Sequence, residues 1–325
     1  MVDLVRAIQI SRLDGPSAVE LVDVAEPDGD GQVVIDVHAA GVTFPEVLQS
    51  RGEYQMKPAL PFVPGSEVAG VVRSAPEGSG FRAGQHVAAF PGLGGFAEVV
   101  AADPWMVFAL PDRISFEAAA ALPMNYLTVH FALTRRGRVR EGETVLVHGA
   151  AGGVGTAACQ LAAAMGAHVI AVVSSDAKVE VARAAGAHEA ILADGFRDAV
   201  KERTGGRGVD MVVDPVGGDR FTDSLRSLAR EGRLLVIGFT GGEIPTVKVN
   251  RLLLNNTAVV GVGWGAFFLA EPSYLQEQWA DLFPLLETGT LDPVLGNRYR
   301  LEDAAHALLE LDQRRAQGKV LLTIR

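Results

Sequence analysis

The chain has 325 residues, too many for one ordinary hydrophobic core and suited to two domains. Hydrophobic residues make up 48% and charged residues 21%, which excludes a compositionally disordered protein; a formal net charge of −10 without a Lys/Arg cluster argues against nucleic acid as partner. Cys159 is the only cysteine, so a disulfide framework and any site built on two thiolates are excluded.

The start, Met1-Val2-Asp3-Leu4-Val5-Arg6, puts charges where a signal peptide needs an apolar core, and a cytoplasmic protein is expected. The N-terminal third reads as β-rich. Val33–Ala39 is strand-like, and short apolar runs follow at Glu67–Arg73, His86–Phe90 and Phe96–Val100, punctuated by Gly and Pro. Short strands with such breaks point to a compact barrel-like domain.

From Glu143 onward apolar strands alternate with helical segments, the pattern of a parallel sheet built from βαβ units. The expected strands are Thr144–His148, His168–Val173, Glu189–Leu192, Val209–Asp214, Arg233–Phe239 and Ala258–Val262. Helices fit over Val154–Met165, Ala177–Ala185 and Arg220–Arg230, with Gly166, Gly186 and Gly232 just past their ends, where glycine is the favoured cap. Six strands in this order make a doubly wound, Rossmann-type sheet. Thr144–Ser175 lacks Asp, Glu, Lys and Arg, but five glycines, Gln160 and two histidines divide it into pieces of different period, so no membrane span is expected. Near the end, Leu301–Leu309 is an amphipathic helix and Lys319–Ile324 a strand that must pair elsewhere, most simply with the N-terminal β domain.

Val145-Leu146-Val147-His148-Gly149-Ala150-Ala151-Gly152-Gly153-Val154-Gly155 is strand, glycine loop and helix start. Such a loop lets backbone approach a pyrophosphate, whose charge the helix N-terminus then stabilises; Gly149, Ala151, Gly152, Gly153, Val154 and Gly155 are the candidate contacts, although the strict spacing wants glycine where Ala150 stands. At the end of the second strand, where NAD enzymes place an acid, stand Ser174 and Ser175, with Lys178 a turn later. Hydroxyl donors and a cation suit a 2′-phosphate, so NADPH is the expected cofactor. The competing readings are helix capping by Ser175 or Asp176 and a solvated surface position for Lys178.

The segment Gly142–Gly155 continuing to Gln160 resembles the signature of the zinc-free quinone oxidoreductase (zeta-crystallin-like) branch of the medium-chain dehydrogenase/reductase family, with Ala163 where a basic residue or Ser is usual. Further similar stretches are Pro61–Gly70, Ala121–Thr128 and Gly318-Lys319-Val320, so the likeness runs along nearly the whole chain. The resemblance implies an α/β fold. Its catalytic domain would be a GroES-like β-barrel (1–122 and 266–325) carrying an inserted doubly wound Rossmann domain (123–265). It also implies NADPH and a homodimer, for which Ala258–Val262 offers a sheet edge.

Zinc-dependent members of that family place a Cys after the first Gly-Val and a His before Glu in the following turn. Here Thr43 and Ser66 stand at those places, and the four-cysteine lobe is missing, so no metal is expected. His38, His86 and His130 show no ligand spacing. Without a Lewis acid, hydride transfer is easiest into an acceptor that delocalises charge over its own π system, a quinone or an enone. By resemblance, Tyr54 lies near the nicotinamide cleft, as proton donor or as an aromatic plug. Thr128, opening the helix into the Rossmann domain, lies beside the nicotinamide or packs that helix. Thr43 replaces an Asn common among relatives. Asn250 is a candidate for cofactor contact, though its surroundings favour a turn-forming role, and Cys159 reads as a core residue. The competing functions are an enoyl- or acryloyl-thioester reductase of the same fold, and a non-enzymatic NADPH-binding protein.

Overall fold

The structure, a computed structural model, describes residues 3–325; Met1 and Val2, which open the charged N-terminal stretch, lie outside the described residues. Two compact units are present, Met1–Met124 together with Pro272–Arg325, and Asn125–Glu271.

In the first unit β1 (Leu4–Gln9) pairs antiparallel with β2 (Glu20–Ala25). The nine-residue β3 (Val33–Gly41) is the hub of the larger sheet: β4 (Glu67–Ser74) lies along one side, followed by β5 (His86–Ala89). On the other side of β3, its first half takes β6 (Val99–Ala102), while β7 (Val107–Ala109) closes onto β5. The run expected at Phe96–Val100 therefore begins later. Ala97 makes an isolated bridge to Ala7 and Glu98 binds Arg6, so this stretch serves β1 before pairing with β3 starts at Val99.

The second unit is a six-stranded parallel sheet. Its strands are β8 (Thr144–His148), β9 (His168–Val173), β10 (Glu189–Leu192), β11 (Val209–Asp214), β12 (Leu228–Val236) and β13 (Ala258–Gly261), in the order β10-β9-β8-β11-β12-β13. Four of the six match the expected limits to the residue, because a strand covered on both faces reads as an uninterrupted apolar run. Two expectations fail at β12. The helix expected over Arg220–Arg230 stops at Arg226, and Leu228 already pairs with Val209, ahead of a register shift that brings Met211 opposite Arg233. Gly232 consequently lies inside a strand. A Cβ there would come within 3.0–3.2 Å of the carbonyl oxygens of Ala229, Val209 and Asp210, so it is close backbone approach that requires glycine. Gly166 and Gly186 do follow helices, with φ of 78° and 88°.

The chain then returns to the first unit, where β14 (Leu295–Arg300) pairs parallel with β15 (Lys319–Thr323), and β15 pairs antiparallel with the second half of β3. The terminal strand thus joins the N-terminal sheet, as its isolation in the sequence requires. The helix expected at Leu301–Leu309 starts as a 3₁₀ turn and runs as α-helix from Ala304 to Asp312. No described helix is long and apolar enough to cross a membrane.

Candidate cofactor and active site

The order of the parallel strands reverses between β8 and β11, and in such sheets the crevice at the carboxyl ends of those strands is where ligands bind. The loop after β8 leads into the helix Gly153–Ala164. Each glycine of that loop has its own reason. Gly149 sits at φ 59°, in the left-handed region. A Cβ on Gly155 would fall 2.1 Å from the Gly149 carbonyl oxygen and 2.6 Å from the Ala150 Cα, so helix and loop meet at van der Waals distance only without one. A Cβ on Gly153 would lie 2.5 Å from Nδ2 of Asn125, which is buried. Gly152 is different. Its φ of −93° and ψ of 176° suit any residue, and a Cβ would meet only the Gly149 oxygen, at 3.5 Å. Nothing inside the protein demands glycine there.

Gly152 is also the N-cap of that twelve-residue helix, without a side-chain cap and without an acid in the first turn, which leaves the first-turn N–H groups available to an anion. Ala151 is buried and Val154 half-buried. Ala150, where the strict spacing wants glycine, is wholly buried. At the end of β9, Ser174 and Ser175 are exposed and Lys178 is half-buried, burial holding its ammonium below the ordinary lysine range. Ser175 is the N-cap of the 3₁₀ turn Asp176–Lys178, but its side chain makes no capping bond. A carboxylate is absent from Ser174-Ser175, and the donor set fits a phosphate. Asn250 starts the helix Asn250–Asn255 and is exposed.

In the first unit the helix Phe44–Ser50 begins with Thr43 as N-cap and Glu46 at its third position, a capping box. The Glu46 carboxylate is wholly buried and takes four donors. Oε2 accepts from the Thr43 N–H at 2.6 Å and from its hydroxyl; Oε1 accepts from the Ser66 N–H at 3.0 Å and its hydroxyl at 2.7 Å. Thr43 and Ser66 are thereby joined through one carboxylate. Tyr54 follows the helix, half-buried, and burial together with the Glu46 charge raises its phenol. Next to Ser66, Glu67 is wholly buried, ion-paired with Lys319, and accepts the Met124 N–H at 2.7 Å. Thr128, in the second unit, is half-buried. It does not open its helix, which begins at Pro123, because proline suits a first helical turn and the residues after it run on unbroken to His130.

Comparison with known proteins fixes the family. The zinc-binding dehydrogenase family pattern matches residues 153–288, and that of the alcohol dehydrogenase GroES-like domain matches residues 29–112. Quinone oxidoreductase-like protein 2 of Bos taurus is 36% identical over 324 residues, covering 98% of this chain and 93% of that protein. The chain belongs to the zinc-free quinone oxidoreductase branch of the medium-chain dehydrogenase/reductase family. Among solved structures, the quinone oxidoreductase of Thermus thermophilus, described together with its NADPH complex, matches with a TM-score of 0.86 and 38% identity, covering 98% of this chain and all of that one. The Escherichia coli quinone oxidoreductase complexed with NADPH gives a TM-score of 0.90 and 31% identity, over 98% and 99%. This medium-chain dehydrogenase/reductase is therefore an oxidoreductase with a GroES-like and a Rossmann-like domain.

At the family's zinc-ligand places this oxidoreductase has two hydroxyls, each already donating to Glu46. No described group of three or more His, Cys, Asp or Glu is arranged to hold a metal ion. His38 and His86 pack on the Phe116 ring, at 4.3 and 4.7 Å between centroids, and His130 is buried. Cys159 is wholly buried, which pushes its thiol up to about 12 and leaves no thiolate at neutral pH. Sequence reasoning passed over Asn125, Glu46 and His148. Asn125 stood within a family-like stretch, whereas Glu46 carried the signal of its capping spacing from Thr43.

Proposed function

We propose that this oxidoreductase uses NADPH to reduce a small quinone or a related conjugated carbonyl compound, without a metal. The observation that carries the reading is Gly152, a glycine with no internal cause at the head of an uncapped helix, where a pyrophosphate fits. The NADPH complexes of the Thermus thermophilus and Escherichia coli relatives support the choice of cofactor.

In this reading the backbone of Gly149, Ala151, Gly152, Gly153, Val154 and Gly155 receives the pyrophosphate, while Ser174, Ser175 and Lys178 receive the 2′-phosphate. Asn250 contributes at the edge of the cofactor. The bound cofactor supplies the hydride. Tyr54 donates its phenolic proton to the oxygen of the reduced acceptor and regains one from water, so hydride plus proton complete the two-electron reduction. Thr128 flanks the reacting ring, and Thr43, whose hydroxyl proton goes to Glu46, shapes the acceptor pocket as a hydrogen-bond acceptor. The free edge of β13, the last strand of its sheet, is the surface through which a homodimer would form, and the cytoplasm is the proposed compartment.

The test follows NADPH absorbance with purified protein. Consumption with 1,4-benzoquinone but not with crotonyl-CoA is expected. Consumption with crotonyl-CoA alone assigns a thioester reductase instead, and binding of NADPH without turnover of either assigns a non-catalytic role.

A further inference from the structure

His148 ends β8 immediately before the glycine loop and is wholly buried, in a strand otherwise made of apolar residues and one threonine. A buried imidazole is costly unless its nitrogens are matched, so its presence calls for a reason. Its Nε2 lies 2.8 Å from Oγ of Ser224, itself wholly buried on the helix Phe221–Arg226. The Ser224 hydroxyl donates to the Arg220 carbonyl at 3.0 Å, so its proton is spent there. With the hydroxyl proton so placed, Nε2 carries hydrogen and donates to Ser224, and Nδ1 has no protein partner. Phe196 meets the ring edge-on, with 4.9 Å between centroids. Burial is the first cause that lowers the imidazole to about 4, so the ring stays neutral through the neutral range.

The bond connects the last residue of β8 to the helix Phe221–Arg226, and these two elements border the two loops at the crevice. Gly149 follows His148 directly, and a Cβ at Gly149 would come within 3.3 Å of Cγ2 of Val216. Val216 belongs to the turn after β11, which Asp214 fixes by accepting the N–H groups of Val216 at 2.8 Å and Gly217 at 2.9 Å. Ser224 stands on the helix that this turn leads into. One hydrogen bond beneath the surface thus ties the phosphate loop to the turn on the opposite side of the switch point.

We propose that His148 is a positioning residue for the cofactor: through its Nε2–H bond to Ser224 it fixes the loop Gly149–Gly153 against the turn Pro215–Gly217, so that the backbone donors are already aimed when the dinucleotide arrives. The inference rests on the cofactor reading above. A donor array held in place in advance avoids the ordering cost of binding, and removing the tie returns that cost.

The test is NADPH affinity by the fluorescence of the bound nicotinamide, read beside thermal melting. Wild-type protein is expected to bind. His148→Phe is expected to weaken binding about tenfold, Ser224→Ala by a similar factor, and the double variant no further, because both remove the same bond. His148→Gln, which presents an N–H near the place of Nε2, is expected to recover most of the loss. Should His148→Phe not fold, Ser224→Ala removes a single oxygen and carries the test alone. Variants that melt lower but bind as wild type would reduce His148 to a packing residue, and a nitrogen-15 spectrum with the proton on Nδ1 would also overturn the proposal. Wild-type protein with no affinity for NADPH would instead overturn the cofactor reading from which the role of His148 follows.

Discussion

Lys178 and Tyr54 are the two side chains on which the proposed chemistry is most directly testable. Lys178→Ala is expected to weaken NADPH at least tenfold and to leave NADH nearly unchanged, since only the former carries the 2′-phosphate; titration of both cofactors checks it, and equal losses would remove the assignment. Tyr54→Phe is expected to lower kcat about a hundredfold with little change in NADPH affinity, within the usual range for losing a general acid. Because burial and Glu46 raise the Tyr54 phenol, the donor form survives above the ordinary tyrosine range, and activity falls only as pH climbs through that raised value. In the phenylalanine variant this alkaline limb should vanish from the pH–rate profile. At this scale the sequence was informative where local spacing sets a contact, as in the capping pair of Thr43 and Glu46. It was silent on the contact between Glu46 and Ser66, which stand twenty positions apart and become neighbours only when the turn Pro64–Ser66 folds back on the helix Phe44–Ser50.

The glycine loop after β8 and its helix separate two kinds of glycine. Gly155→Ala is expected to destabilise the protein by about 2 kcal/mol, through overpacking against Gly149 and Ala150, and to show as a lowered Tm. Gly152→Ala should leave Tm within a degree or two, because a methyl group there meets only the Gly149 oxygen at 3.5 Å, and should weaken NADPH binding if the proposed pyrophosphate contact holds. At the opposite end of the same sheet, burial works to raise the Asp210 carboxyl, but hydrogen bonds from Arg207 and the Thr144 N–H hold it below the usual carboxylate range. A depressed folded value stabilises the protein above the unfolded carboxylate pKa and is lost as pH falls through the folded one. Asp210→Asn is therefore expected to cost about 1 kcal/mol at pH 7 and progressively less below pH 4, read from urea melts across that range. The strands of this sheet were legible because each is a bounded apolar run. The start of β12 was not, because Leu228–Arg230 continues the helical pattern of Arg220–Arg226, and only the bulge beside β11 reveals it as strand.

Across the whole molecule, the first unit is assembled from segments separated by the entire second unit. Glu67 and Lys319, 252 positions apart, form its one wholly buried ion pair among the described residues. Lys319→Met should cost about 3–5 kcal/mol by stranding the Glu67 carboxylate, and adding Glu67→Gln should return part of it; chemical denaturation of the single and double variants checks this. No local pattern announces such a pair, although the unmatched terminal strand did announce that its partner lay far upstream. The position of β15 against β3 also bears on how the protein is made. A nascent chain leaving the ribosome carries β3 with half of one side bare until β15 emerges, whereas all six strands of the parallel sheet are complete well before. Synthesis should thus deliver a finished nucleotide-binding unit while the barrel waits, and chains stalled before Lys319 would display an open, apolar strand edge to their neighbours.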